Sequence, residues 1–214
     1  EPSMLRGYKR PDIKFMEYLD ELDTLIPYGA RWYGEPDSES YSVTEHPERF
    51  APVQQVARAL LGWMQEQFQV RCFEDPGLAT ELRIPPDTVV CSVRIFPVDS
   101  RCAPLGMVLT IFPGVHLKLG ALYQAAFPYC GCDACDEHVP DMIEELEAQV
   151  GAAVSGAFGE YLDLDAGRLV HRFEVDEMGF SEQSGSLDDL SPARLARARP
   201  ILPESGSWEP WPLR

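Results

Sequence analysis

The chain has 214 residues, 45% of them hydrophobic and 25% charged, a globular balance long enough to bury about 70% of the surface its unfolded form exposes. Asp and Glu number 35 against 18 Lys and Arg, a formal charge of −17 that repels phosphate backbones and anionic lipid heads. Nucleic acid and membrane surfaces are therefore excluded as expected partners. Three Lys against fifteen Arg, with no Asn, is the usage expected of a GC-rich bacterial genome. With no apolar run of about 18 residues and no leader pattern, a cytoplasmic location is expected.

Met4 stands three residues in, so residues 1–11 read as a disordered or tag-derived tail. Over residues 12–25, Ile13, Met16, Leu19, Leu22 and Leu25 fall at helical spacing behind Pro11 and predict a first helix, an outlying arm. An aromatic stretch from Tyr28 to Gly34 and an acidic, Ser-rich one from Glu35 to Ser42 read as loop. A stronger helix is expected over residues 47–67. There Val53, Val56, Ala57, Leu60 and Met64 share one face, and Pro47 and Pro52 suit a first turn.

The period then changes from helical to two. Residues 69–73 suggest a strand, Val89, Cys91, Val93 and Ile95 alternate with their neighbours, and so do Met107, Leu109 and Ile111. Pro113-Gly114 turns the chain into Val115, Leu117 and Leu119, which completes an antiparallel β-meander. Helical spacing returns over residues 139–161, through Ile143, Leu146, Val150, Val154 and Phe158, and one more strand is expected over 168–178. The sum is an α+β fold, an antiparallel meander sheet with two or three amphipathic helices packed on one face. A single domain is expected over 12–198. Residues 199–214 read as a Pro/Trp-rich tail pinned to the body by its Trp side chains.

The sharpest chemical signal is Cys130-Gly131-Cys132-Asp133-Ala134-Cys135-Asp136-Glu137-His138. Three thiols and an imidazole in a loop can turn inward onto one ion, and Zn²⁺ takes four such donors in a tetrahedron. Cys130, Cys132, Cys135 and His138 are therefore the expected metal ligands, with Zn²⁺ as the expected cofactor. His46, His116, His171 and Asp133 are alternative fourth donors. The competing readings are free thiols and a Cys132–Cys135 redox pair. Cys72, Cys91 and Cys102, on or beside strands, read as small buried hydrophobes. No phosphate loop, nucleophile elbow or H-E-x-x-H motif occurs, so no reaction is assigned. Function through binding an unidentified protein or small molecule is expected first. A metal- or thiol-dependent enzyme using the same cysteines, with His46, His171 or an acidic neighbour as base, is the rival.

Four segments carry a resemblance. They are Tyr28-Gly29-Ala30-Arg31-Trp32, the stretch Tyr41-Ser42-Val43-Thr44-Glu45-His46-Pro47-Glu48-Arg49-Phe50-Ala51-Pro52, Phe112-Pro113-Gly114, and Phe127 through Glu137 with its C-G-C-D-A-C-D-E run. Together they resemble a family of uncharacterised bacterial proteins defined as a domain of unknown function, over most of the chain from Tyr28 onward. The resemblance implies no activity, and its signature parts are the cysteine run and His46-Pro47-Glu48-Arg49-Phe50.

Overall fold

Alternating apolar residues need a partner layer on one side, and the middle of the chain supplies five of them in sequence. In the computed structural model, which describes residues 5–174 and 179–214, β1 (Val70–Glu74), β2 (Val89–Pro97), β3 (Leu105–Thr110), β4 (Val115–Leu119) and β5 (Tyr123–Phe127) form an antiparallel meander in chain order. Cross-strand pairs Val93–Met107 and Met107–Leu117 put the inward residues in register. Ile95, Met107, Leu109, Leu117 and Leu119 are sealed from solvent as a result.

Two long helices cover that face: α1 (Ala51–Gln67), entered through a 3₁₀ turn over Pro47–Phe50, and α3 (Val139–Ser155). Phe50, Leu60 and Met64 of the first and Ile143, Leu146 and Val150 of the second complete the core. The short helix α2 (Pro76–Glu81) covers part of the opposite face, its Leu78 packing on Val108, which is why every residue of β3 is buried.

The last part of α3 departs from its helical spacing. The helix stops at Gly156, whose φ of +80° is the left-handed value a helix-ending glycine supplies. A Cβ there would also lie 2.8 Å from the Pro210 nitrogen. Phe158 and Tyr161 consequently sit on a strand, β6 (Phe158–Asp163), which joins β7 (Arg168–Glu174) and β8 (Phe180–Ser186) in a second antiparallel sheet. The expected strand over 168–178 is β7; Val175 to Met178 lie outside the described residues. Helix α4 (Pro192–Ala198) follows, capped by the Ser191 side chain.

The helix predicted over 12–25 does not form. Asp20 accepts hydrogen bonds from the backbone N–H groups of Leu22 and Thr24, Asp23 has a φ of +56°, and Leu19 bridges to Leu25. Such local side-chain-to-backbone bonds compete with helical ones, and with Met16 and Leu22 exposed no packed face favours the helix. Residues 5–11 lie against the body: Leu5 is in the core, the Tyr8 ring meets Trp63 edge-on, and Arg10 pairs with Glu147. At the other end Trp208 and Trp211 are buried, and the Trp211 indole donates to the Ala103 carbonyl at 3.0 Å.

Glu160 joins the two sheets. It is fully buried, and its carboxylate accepts from the backbone N–H groups of Ala121 and Leu122 at 2.7 Å and of Tyr123 at 3.0 Å. The turn between β4 and β5 is thereby fastened to β6. His171, its cross-strand partner on β7, brings Nε2 to 3.1 Å from the same carboxylate. No helix among the described residues is long and apolar enough to cross a membrane.

Candidate metal centre

The loop from Pro128 to His138 leaves β5 and enters α3, so its conformation is unsupported by a ladder and must be held by side chains. Its acidic residues do this. Glu137 accepts from the backbone N–H groups of Tyr129, Cys130 and Gly131, bending the loop back on itself. Asp136 accepts from Gly29 and Arg31 N–H, which docks the aromatic stretch onto the loop. Asp133, 1% exposed, accepts from Glu45 N–H, while its own N–H donates to Val43 O. Gly131 has a φ of +80°, and a Cβ there would lie 2.8 Å from the Phe112 ring. The loop therefore turns where only glycine fits without strain.

Arg49 closes the arrangement from below. Its guanidinium is buried with the Tyr28 ring 4.1 Å away and the Phe50 ring 4.3 Å away, and Nη2 lies 3.2 Å from Asp133 Oδ1. Arg31 stacks on Trp32 and approaches Asp133 from the other side at 3.8 Å, while the Trp32 indole donates to Asp133 O. Thr44 donates its hydroxyl to Gly131 O. The H-P-E-R-F segment, the aromatic stretch and the cysteine loop are thus one connected structure. Asp136 and Glu137 are committed to backbone N–H groups, and Asp133 is divided between Glu45 N–H and the two arginines.

The thiols remain. The sulfurs of Cys130, Cys132 and Cys135 all lie within 4.8 Å of one another, with Cys130 and Cys132 at 3.3 Å, and all six cysteines of the chain are free. A tetrahedral ion with Zn–S bonds of about 2.3 Å holds its sulfurs about 3.8 Å apart. The three sulfurs lie close enough together for that spacing, so the donor set fits a thiophilic ion after small side-chain rotations.

Burial pushes the Cys132 thiol up. Hydrogen bonds from the Cys130 thiol, from Cys135 and from the Ser42 backbone outweigh burial and bring Cys132 down to about 7. The hydrogen bonds to Cys132 and Cys130 hold the proton on Cys135 and push that thiol up to about 12. Cys132 therefore gives up its proton readily, and Cys135 keeps its own until a cation shares the site.

His138 stands outside this group. It is the N-cap of α3, its Nδ1 lies 2.9 Å from Asp141, and its ring packs on Gly29. The other histidines are also placed elsewhere. His46 stacks on Tyr18 with Nδ1 3.3 Å from Glu48, and His171 is paired with Glu160. His116 is half-buried, which pushes its imidazole down, and it lines a cavity of about 430 Å³ shared with Tyr129 and Glu137. Asp133 is turned toward the two arginines. Cys72 and Cys91 pack against the core and Cys102 is buried in it, donating to Pro210 O, with burial pushing its thiol up to about 11.

A family model described as a family of unknown function, DUF6226, matches residues 15–214. The chain belongs to that family. No curated protein and no solved structure matches it. Within this DUF6226 chain, the arginine pair and the aromatic stretch are the site residues that spacing alone did not reveal. Their role is to carry the loop, onto which the segments around Tyr28, His46 and Phe112 all pack.

Proposed function

We propose that this DUF6226 chain is a bacterial, cytoplasmic binding protein in which Cys130, Cys132 and Cys135 hold a structural Zn²⁺ as thiolates. The observation that carries this is the division of labour in the loop. Asp133, Asp136 and Glu137 are all taken up by backbone N–H groups or arginines, whereas the three sulfurs converge on one another, with Cys132 also accepting from the Ser42 backbone. Bound as a clasp, the ion would lock the loop that seats residues 28–46. The net charge of −17 favours a small-molecule or protein partner over nucleic acid or membrane.

Chelation tests this. Treating the purified protein with a strong chelator is expected to lower its melting temperature and to open the amides of Tyr129, Cys130 and Gly131 to hydrogen exchange, with zinc restoring both. A second reading is favoured by one observation, that only three protein donors converge: an ion with an exchangeable fourth position, as in metal-dependent hydrolases. In that case the chelated protein stays folded, and the thiolate-to-metal bands of a cobalt-loaded sample shift when azide is added.

A further inference from the structure

The sheet face opposite the two long helices holds a second polar site, unrelated to the thiols. Arg94, Gly106 and Lys118 form one row across β2, β3 and β4. The glycine lets Leu78 of α2 sit close over the row's centre, and α2 and α4 contribute walls to the cavity beside it. Glu81 of α2 sits between the two cations, 2.6 Å from each, and Asp75 takes the other edge of Arg94 at 2.6 Å. Those two cations are therefore neutralised in place.

Three more are not. Arg83, Arg194 and Arg197 line an adjoining cavity of about 550 Å³, which shares Glu81, Arg194 and Arg197 with the cavity of about 230 Å³ above Gly106. Among the described residues none of the three has a carboxylate within ion-pair distance, although Asp189 also lines the cavity. Arg194 spends one N–H on the Leu122 carbonyl and lines the cavity with Arg83 and Arg197. Burial acts most strongly against the Arg194 cation, and Arg83 and Arg197 add to it, outweighing the favourable charges of Glu81 and Glu160. Glu81 is already shared by Arg94 and Lys118, so three arginines around one cavity, without a carboxylate at ion-pair distance, favour an added anion.

Arg83 adds a separate sign. It follows the end of α2 with a φ of +59°, the left-handed position where glycine is the unstrained choice. A long cationic side chain kept at a strained position beside a cavity points to use of that side chain.

We propose that the groove between α2 and α4 binds a small organic anion. Its phosphate or carboxylate head is held by Arg83, Arg194 and Arg197, and its apolar body lies against Phe96, Pro104 and Ile201. Guanidinium forks match both head groups with paired hydrogen bonds, and the smaller cavity adds the apolar surfaces of Phe96, Pro104 and Ile201.

The test is a titration of the full chain, following arginine Nε–Hε signals by NMR, with phenyl phosphate and with benzoate, against sodium chloride at matched ionic strength. Saturable shifts confined to Arg83, Arg194 and Arg197 are expected. Saturation by phenyl phosphate assigns a phosphoryl head, and saturation by benzoate a carboxylate. Arg197, exposed on α4, is substituted without burying or uncovering anything, and Arg197→Gln should weaken binding about tenfold, the loss of one charge-assisted pair. Arg58→Gln, on the exposed side of α1, should leave binding unchanged. Linear drifts equal to those in chloride, or equal weakening by both substitutions, would overturn the proposal.

Discussion

Replacing Glu160 with Gln lowers the free energy of unfolding by about 3 kcal/mol, a drop of roughly 10 °C in melting temperature for a chain of this size. The substitution keeps the side chain's volume and removes its charge. In the native carboxylate one oxygen accepts from Ala121 N–H and the other from Leu122 and Tyr123 N–H, with His171 alongside. A carboxamide must turn its NH₂ toward one of those donor groups, so a donor faces a donor in a site with no access for water. Loss of the charge weakens the remaining bonds as well, since bonds to a carboxylate are about twice as strong as neutral ones. Urea denaturation is the measurement, with hydrogen exchange at Ala121 to Tyr123 reporting whether the join between the two sheets opens first. A change below about 1 kcal/mol would mean that the two sheets are held together by the packing of Phe158, Phe173 and Tyr123 alone.

Cys132→Ser is expected to have an equal or larger effect if the thiols hold their ion. Cys132 is the buried member of the three, 6% exposed, and its sulfur lies at the centre of the cluster's hydrogen bonds. Serine keeps the shape but replaces a soft thiolate with a hydroxyl that stays protonated, so one of the three protein donors is lost and several kcal/mol of metal binding are uncoupled from folding. The matched control is Cys91→Ser, on β2 and away from the cluster, which exchanges a half-buried sulfur for oxygen without touching the loop. Thermal melts of the two variants side by side separate the readings. A large loss for Cys132→Ser and a small one for Cys91→Ser is the expected pattern, and equal small losses would show that the cluster carries no metal-linked stability.

The parts of this architecture that were readable in the sequence are those with an apolar face packed against α1 and α3, including β3, whose other face is also covered. Met107, Leu109, Val115 and Leu117 alternate because the sheet face they form is covered by α1 and α3, and the same covering imposes the helical spacing of Val53, Val56, Leu60 and Met64. Where burial is partial or absent, the pattern fades. β8 is exposed at every residue and carries no apolar alternation, and β5, Tyr-Gln-Ala-Ala-Phe, is too poor in β-branched residues to announce itself. Over residues 12–25 the spacing matched a helix by coincidence, because Asp20 and Asp23 favour turns that periodicity does not register.

For the site, the three cysteines were legible because their donors are adjacent in sequence. His138 shared that adjacency, but the start of α3 turns it toward Asp141 and Gly29. The pairing of Arg49 with Asp133 was not legible, since it depends on the α1 entrance and the β5–α3 loop meeting in space. The groove arginines come from the end of α2 and from α4, and only the folded sheet brings them together.

Elemental analysis of the purified chain, kept reduced and free of added metal, tests the central proposal most directly. The account predicts one equivalent of zinc per chain, lost in Cys132→Ser and retained in Cys91→Ser. Protein with no bound metal, and with Cys130, Cys132 and Cys135 all open to alkylation in the folded state, would contradict it.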